Sequence, residues 1–259
     1  MKHYRNFLLA LLLLPFVSKA QVYQPGKVVN LKGDTLSGLI EYSEWVNNPR
    51  FIHFKTDAGA AVQKLTPADT RFFSVSVGHL AEFVAYTGPI STDNTDIDHL
   101  SVGLDTSSKV DTIFLKVLQD GKNLKLFSYA DDQKNRFFIA PDFSHKPVEL
   151  IYRIYQKDEE TNAISRTVYQ TDFKGQLYDA AVKAGVLTPG LKDLISKSDY
   201  NEQDLLQITG TINNISNGDL LKTNATKAKP LHIGIAIAAI AVVIYVIQFS
   251  HLHLSPKAP

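Results

Sequence analysis

The chain has 259 residues, 20% of them charged, with a formal net charge of +1. This balance argues against a disordered, charge-rich chain and against a nucleic-acid binder, which needs a basic excess. Cysteine is absent, which excludes a disulfide framework, a thiolate zinc site and a cysteine nucleophile.

The first twenty residues are ordered as an export signal requires. Lys2 and Arg5 precede an apolar run over residues 7–17, and Ser18-Lys19-Ala20 follows it. A basic region, an apolar region and a small-x-small site predict cleavage after Ala20, with Gln21 as the first mature residue. An uncleaved anchor is the weaker reading, because the run is short for a full span and Pro15 interrupts it. The residue after the cleavage site is not cysteine, so a bacterial lipoprotein anchor is excluded.

From Val22 onward the pattern is strand and turn. Residues 27–31 read as a strand, Lys32-Gly33-Asp34 as a tight turn, and residues 35–42 as an alternating strand with Leu36, Gly38, Ile40 and Tyr42 on one face. Asn47-Asn48-Pro49 breaks the chain before a strand over residues 50–55. Shorter strands follow at 62–65, 71–77 and 82–86, with a turn at 66–69 and a polar loop over 87–109. The clearest hairpin joins 112–118 to 124–129 through Asp120-Gly121. Residues 136–140 and 148–156 complete a set of about nine short strands, which predicts an antiparallel sheet.

Beyond Thr171 the period changes. Phe173, Leu177, Ala180, Ala181 and Ala184 fall at helical spacing, with Asp172 expected as N-cap and Gly185 as C-cap. Pro189 starts a second helix through Lys197, and residues 200–212 form a third with Asn201 as a cap. The expected fold class is α+β: a β-rich exported domain over 21–157, a small helical unit over 158–212, and a polar linker over 213–230.

An uncharged apolar run then covers residues 231–249, including Ile233, Ile240, Val243 and Ile247. About 19 residues at 1.5 Å each give a helix near 28 Å, close to the hydrocarbon thickness. The run is apolar on every side, which suits a single transmembrane helix better than a core helix. With a cleaved signal, residues 21–230 lie outside the cytoplasm and the tail 250–259 inside. Lys222, Lys227 and Lys229 on the outer flank run against the positive-inside rule.

Candidate chemistry is sparse. Asp93, Asp96 and Asp98 could offer oxygen ligands to calcium, but their spacing is not that of an EF-hand, and a solvated acidic loop is the preferred reading. His251 and His253, with His232 across the span, are read as interfacial residues rather than metal ligands, since two ligands do not make a site. Asp158, Glu159 and Glu160 read as a turn tip. Tyr42, Trp45 and Phe51 read as an aromatic packing cluster. No nucleophile elbow, zinc-protease motif or phosphate-cradling loop is present. The sequence thus assigns no catalytic residue, no cofactor and no metal.

Several stretches resemble the N-terminal extramembrane region of uncharacterised Bacteroidetes cell-envelope proteins. They are residues 26–42, Trp45, Asn48-Pro49, residues 52–55, Leu65-Thr66-Pro67-Ala68-Asp69 with Phe72-Phe73, residues 114–127, residues 149–152, and residues 169–177 with Gly175-Gln176-Leu177. In that family the region often precedes an outer-membrane β-barrel, and the resemblance implies no enzymatic activity. This chain departs where the barrel would begin: residues 233–247 lack the apolar-polar alternation of barrel strands. The expectation is therefore an inner-membrane protein, with the outer membrane as the alternative. Its expected role is a non-enzymatic envelope module that binds or scaffolds a protein or glycan, and not a nucleic acid. The alternative is a membrane-anchored hydrolase with a dispersed active site.

Overall fold

The computed structural model describes residues 22–43, 45–157 and 167–215. They all fall in one compact unit, Met1–Leu220, and a second unit, Leu221–Pro259, lies outside the described residues. The cleavage residues Ala20 and Gln21 and the anchor residues Ile233, Ile240, Val243 and Ile247 also lie outside them. Among the described residues no helix is long and apolar enough to cross a membrane.

The unit is α+β. Its strands are β1 (Tyr23–Asn30), β2 (Thr35–Glu41), β3 (Ile52–Lys55), β4 (Gln63–Leu65), β5 (Thr70–Ser76) and β6 (Leu80–Ser91). They continue with β7 (Ser108–Asp120), β8 (Lys125–Ala130), β9 (Asn135–Ala140), β10 (Val148–Glu149), β11 (Arg153–Gln156) and β12 (Thr167–Gln170). Ten of them form one antiparallel sheet in the order β10-β9-β8-β7-β6-β5-β1-β2-β3-β4, and β11 and β12 form a separate pair. Three helices follow: α1 (Phe173–Lys183), α2 (Pro189–Lys197) and α3 (Glu202–Ile212).

The long central strands are buried on both faces. Ile113, Phe114 and Leu115 are consecutive and all fully buried, so β7 has cover on either side. On one face Phe83 and Phe114 join Val28, Ile40, Phe54 and Phe73. On the other, Tyr86, Ile113 and Leu115 join Phe127, Tyr129 and Phe138.

The sheet supplies much of this cover by curling. Ser91 ends β6, and β10 lies four positions away in the sheet order. In a flat sheet that separation is about 19 Å, at roughly 4.8 Å per strand. Yet the Ser91 backbone N–H donates to Glu149 Oε2 at 3.0 Å, and the Ser91 hydroxyl bonds the other carboxylate oxygen. The half from β6 to β10 therefore wraps around the Tyr86–Phe138 face. The half from β1 to β5 wraps the opposite way: Asn48, in the β2–β3 connection, donates its backbone N–H to Ala130 O at the end of β8.

The helices cover the sheet where β8 and β9 present Leu126 and Phe137. There Phe173, Leu177, Leu191, Ile195, Leu205, Ile208 and Ile212 complete a third core. Asn201 caps α3 by accepting from the Asp204 N–H, and Gly185 ends α1 with φ 69°, as the sequence predicts. Asp172 holds the expected N-cap position of α1 without capping it, and its carboxylate accepts from Gln170 Nε2 instead.

Four sequence expectations are corrected. The polar loop over 87–109 is shorter, because β6 runs to Ser91 and β7 starts at Ser108. The expected strand over 148–156 is two strands in different sheets. The Gln176 side chain of α1 bonds the Ile151 N–H and the Glu149 carbonyl, taking backbone groups that a continuous ladder would use. The helical unit expected from residue 158 contains a strand, β12, before its first helix. The expected hairpin through Asp120-Gly121 is present, with Asp120 paired to Lys125 across a four-residue loop. Gly121 is required there for space: a Cβ would sit 1.9 Å from Asn213 Nδ2. Asn213, expected to open the linker, is buried and accepts from the N–H groups of Asn123 and Leu124.

Candidate functional site

Among the described residues a cleft lies between the helices and the β2–β3 connection. Register places Phe83, Lys116, Ser128 and Phe137 side by side across β6, β7, β8 and β9 on one face. The helical layer covers one end of this face, and the half from β1 to β5 covers the other. Between them the row forms the floor of a cleft of about 320 Å³.

One wall is the segment 45–48. Trp45 is held by edge-to-face contacts with Tyr42, Phe73 and Phe83, at centroid distances of 4.9, 5.9 and 5.6 Å. Phe51, grouped with these rings in the sequence, instead pairs with His53 at 5.2 Å and lies under Lys64. Asn48 anchors the wall. Beyond the Lys116–Ser128 pair the β7–β8 ladder stops. Asn48 Nδ2 donates to Phe114 O on β7 at 2.8 Å and to Ser128 O on β8 at 3.0 Å, and its Oδ1 accepts from the Ala130 N–H. One carboxamide thus substitutes for the missing ladder.

The chain then reaches the other face. Arg50 donates to Asp111 at 2.9 Å and to the Tyr129 hydroxyl at 3.2 Å. A shallow groove there is lined by Arg50, Lys109 and Asp131 among others.

The opposite wall of the cleft is the start of α3, with Tyr200, Asn201 and Glu202. Tyr200 fixes it to the sheet: its hydroxyl donates to Leu150 O at 2.9 Å and accepts from the Phe137 N–H at 3.0 Å. Burial pushes the Tyr200 phenol well above its ordinary value, so the hydroxyl stays protonated and keeps its donor. His79, Asn47 and Asn135 complete the rim.

A second cluster, buried and ionic, seals the curl of β6 onto β9 and β10. Asp93 is 2% exposed and accepts from Lys134 Nζ at 2.7 Å, with Arg153 Nε 3.6 Å away. Arg136, fully buried, donates from Nε to Ser91 O and from Nη1 to Asp131 Oδ1. Burial pushes the Lys134 ammonium below its ordinary value against the pull of Asp93. These groups neutralise one another and act as a structural clasp.

The expected acidic loop therefore divides. Asp93 is an interior ion-pair partner, whereas Asp96 and Asp98 are exposed, with Asp96 bonded to His99 and to the Asp98 N–H. Among the described residues no group of three or more acidic or histidine side chains could hold a metal. Asp158, Glu159, Glu160, His232, His251 and His253 lie outside the described residues. The sequence reading missed the cleft because its floor is assembled from four strands by register. Asn48-Pro49, read as a chain break, was the local signal that something inserts there. No protein-family model matches the chain, and no curated protein or solved structure is detectably similar to it.

Proposed function

We propose that this protein is a non-enzymatic binding module of the cell envelope. In this reading residues 21–230 are exported, residues 231–249 tether them to the inner membrane, and the cleft between the segment 45–48 and the start of α3 is the binding site. The observation that carries it is the cleft floored by the row Phe83–Lys116–Ser128–Phe137, in which Phe83 and Phe137 are buried under the two flanking layers and Lys116 and Ser128 are only half-buried between them. A concave site with aromatic walls and a few polar groups is the usual form of a small-ligand site. The charge-free run over 231–249, the ordering of the first twenty residues and the resemblance over residues 22–200 support the tether, the export and the envelope setting. The charged groups with the deepest burial, Asp93, Lys134 and Arg136, are spent on the clasp rather than gathered in the cleft.

The test is turnover. Full-length protein in detergent, assayed against a broad panel of ester, amide and glycoside substrates, is expected to release no product. Turnover that disappears on substituting His79 or Glu202 in the cleft would overturn the reading in favour of an anchored hydrolase.

A further inference from the structure

We infer that the cleft takes a short neutral saccharide, an inference that rests on the binding-module reading above. Three observations converge on that class. The first is size: about 320 Å³ is at the small end of ligand pockets and suits one or two sugar rings rather than a folded partner. The second is charge. Lys116 and Glu202 contribute opposite signs to the same lining, so the cleft offers no excess that would select an anion or a cation.

The third is the kind of polar group present. Hydroxyls both donate and accept, and carboxamides answer them in the same way. Asn135 makes no side-chain hydrogen bond among the described residues and is exposed at the rim. Asn47 uses its Nδ2 on Asp132, which leaves its oxygen as an acceptor. Asn201 uses its oxygen to cap α3, which leaves its NH2 as a donor. Beside them, Trp45, half-buried and held by three ring contacts, lines the cleft, where the C–H face of a sugar can pack against its ring. A peptide would need a row of open backbone partners, and those on this side of β7 and β8 are already taken by Asn48.

Trp45 is the single tryptophan of the chain, so its emission reports on the cleft directly. The experiment titrates full-length protein in detergent with maltose, cellobiose and the β-1,4-linked N-acetylglucosamine dimer. Neutral tripeptides and an oligogalacturonate serve as competing classes. The expected result is a saturable change in Trp45 emission with at least one neutral oligosaccharide at millimolar concentration. Asn135→Ala is expected to weaken binding by about five- to tenfold, the loss of one hydrogen bond or two, and Lys109→Ala in the opposite groove to leave it unchanged. A saturable change with tripeptides or the acidic oligosaccharide alone overturns the ligand class and leaves the binding module standing. No change with any probe overturns the inference, and turnover of a probe overturns both.

Discussion

Arg136 Nε donates to the carbonyl of Ser91 at 2.8 Å, although their strands stand three positions apart in the sheet. A flat sheet would hold those strands about 14 Å apart. The bond exists because the sheet curls, and the guanidinium reaches Asp131 at the same time. One side chain thus fixes the β8–β9 turn and the far end of β6 together. Arg136→Met is expected to destabilise the unit by about 3 kcal/mol, since it strips a buried carbonyl and a paired carboxylate of their donors. Arg136→Lys should recover little, because one ammonium lacks the fork that serves both partners. Urea denaturation of the variants measures both effects.

Asn48 makes a comparable prediction at the cleft wall. Asn48→Asp keeps the shape and the acceptor but removes both donors, setting a carboxylate against the carbonyls of Phe114 and Ser128. A loss of about 2–3 kcal/mol is expected. Hydrogen exchange should show the Ala130 N–H opening faster than in the parent, because repulsion from the two carbonyls displaces the side chain that accepts from it.

Acid should loosen the clasp through Asp131. Burial alone would raise this carboxyl, but the bonds from Arg136 and from the Lys134 N–H outweigh it and hold it below its ordinary 3.8. A depressed native value means that the stability Asp131 contributes is full above pH 3.8 and is lost as the pH falls through the native value. Asp131→Asn should therefore lower the denaturation midpoint at pH 7. The gap from the parent should close on acidification below that point. A gap independent of pH would contradict the assignment.

The proposed tether predicts a compartment. On separation of the two envelope membranes, the full-length protein should sediment with the inner membrane. Protease should remove residues 21–230 only after the outer membrane is permeabilised. Recovery in the outer membrane would favour the alternative that the resemblance to barrel-associated proteins leaves open.

Local pattern carried the reading of the sequence a long way. The hairpin of β1 and β2, the strands β7 to β9 and the helices α1 to α3 follow from alternation, helical spacing and caps such as Asn201, which act between near neighbours in the chain. What the pattern did not show depends on contacts between distant residues. Gln176 splits the strand expected over 148–156 from a helix that begins more than twenty residues later. Asn213 dictates the loop at Gly121 from ninety residues away. Asp93 looked solvated because its partners, Lys134 and Arg153, come from β9 and β11 and their turns. The cleft has the same origin, since its floor takes one residue from each of four strands.

Amide hydrogen exchange of the full-length protein, with and without a saturating neutral oligosaccharide, tests the central claim most directly. Slowed exchange is expected at Trp45 and Val46, at the start of α3 around Asn201 and Glu202, and at Asn135, with Arg50, Lys109 and Asp131 of the groove unchanged. Protection confined to that groove, or absent everywhere, would contradict the assignment of the cleft as the binding site.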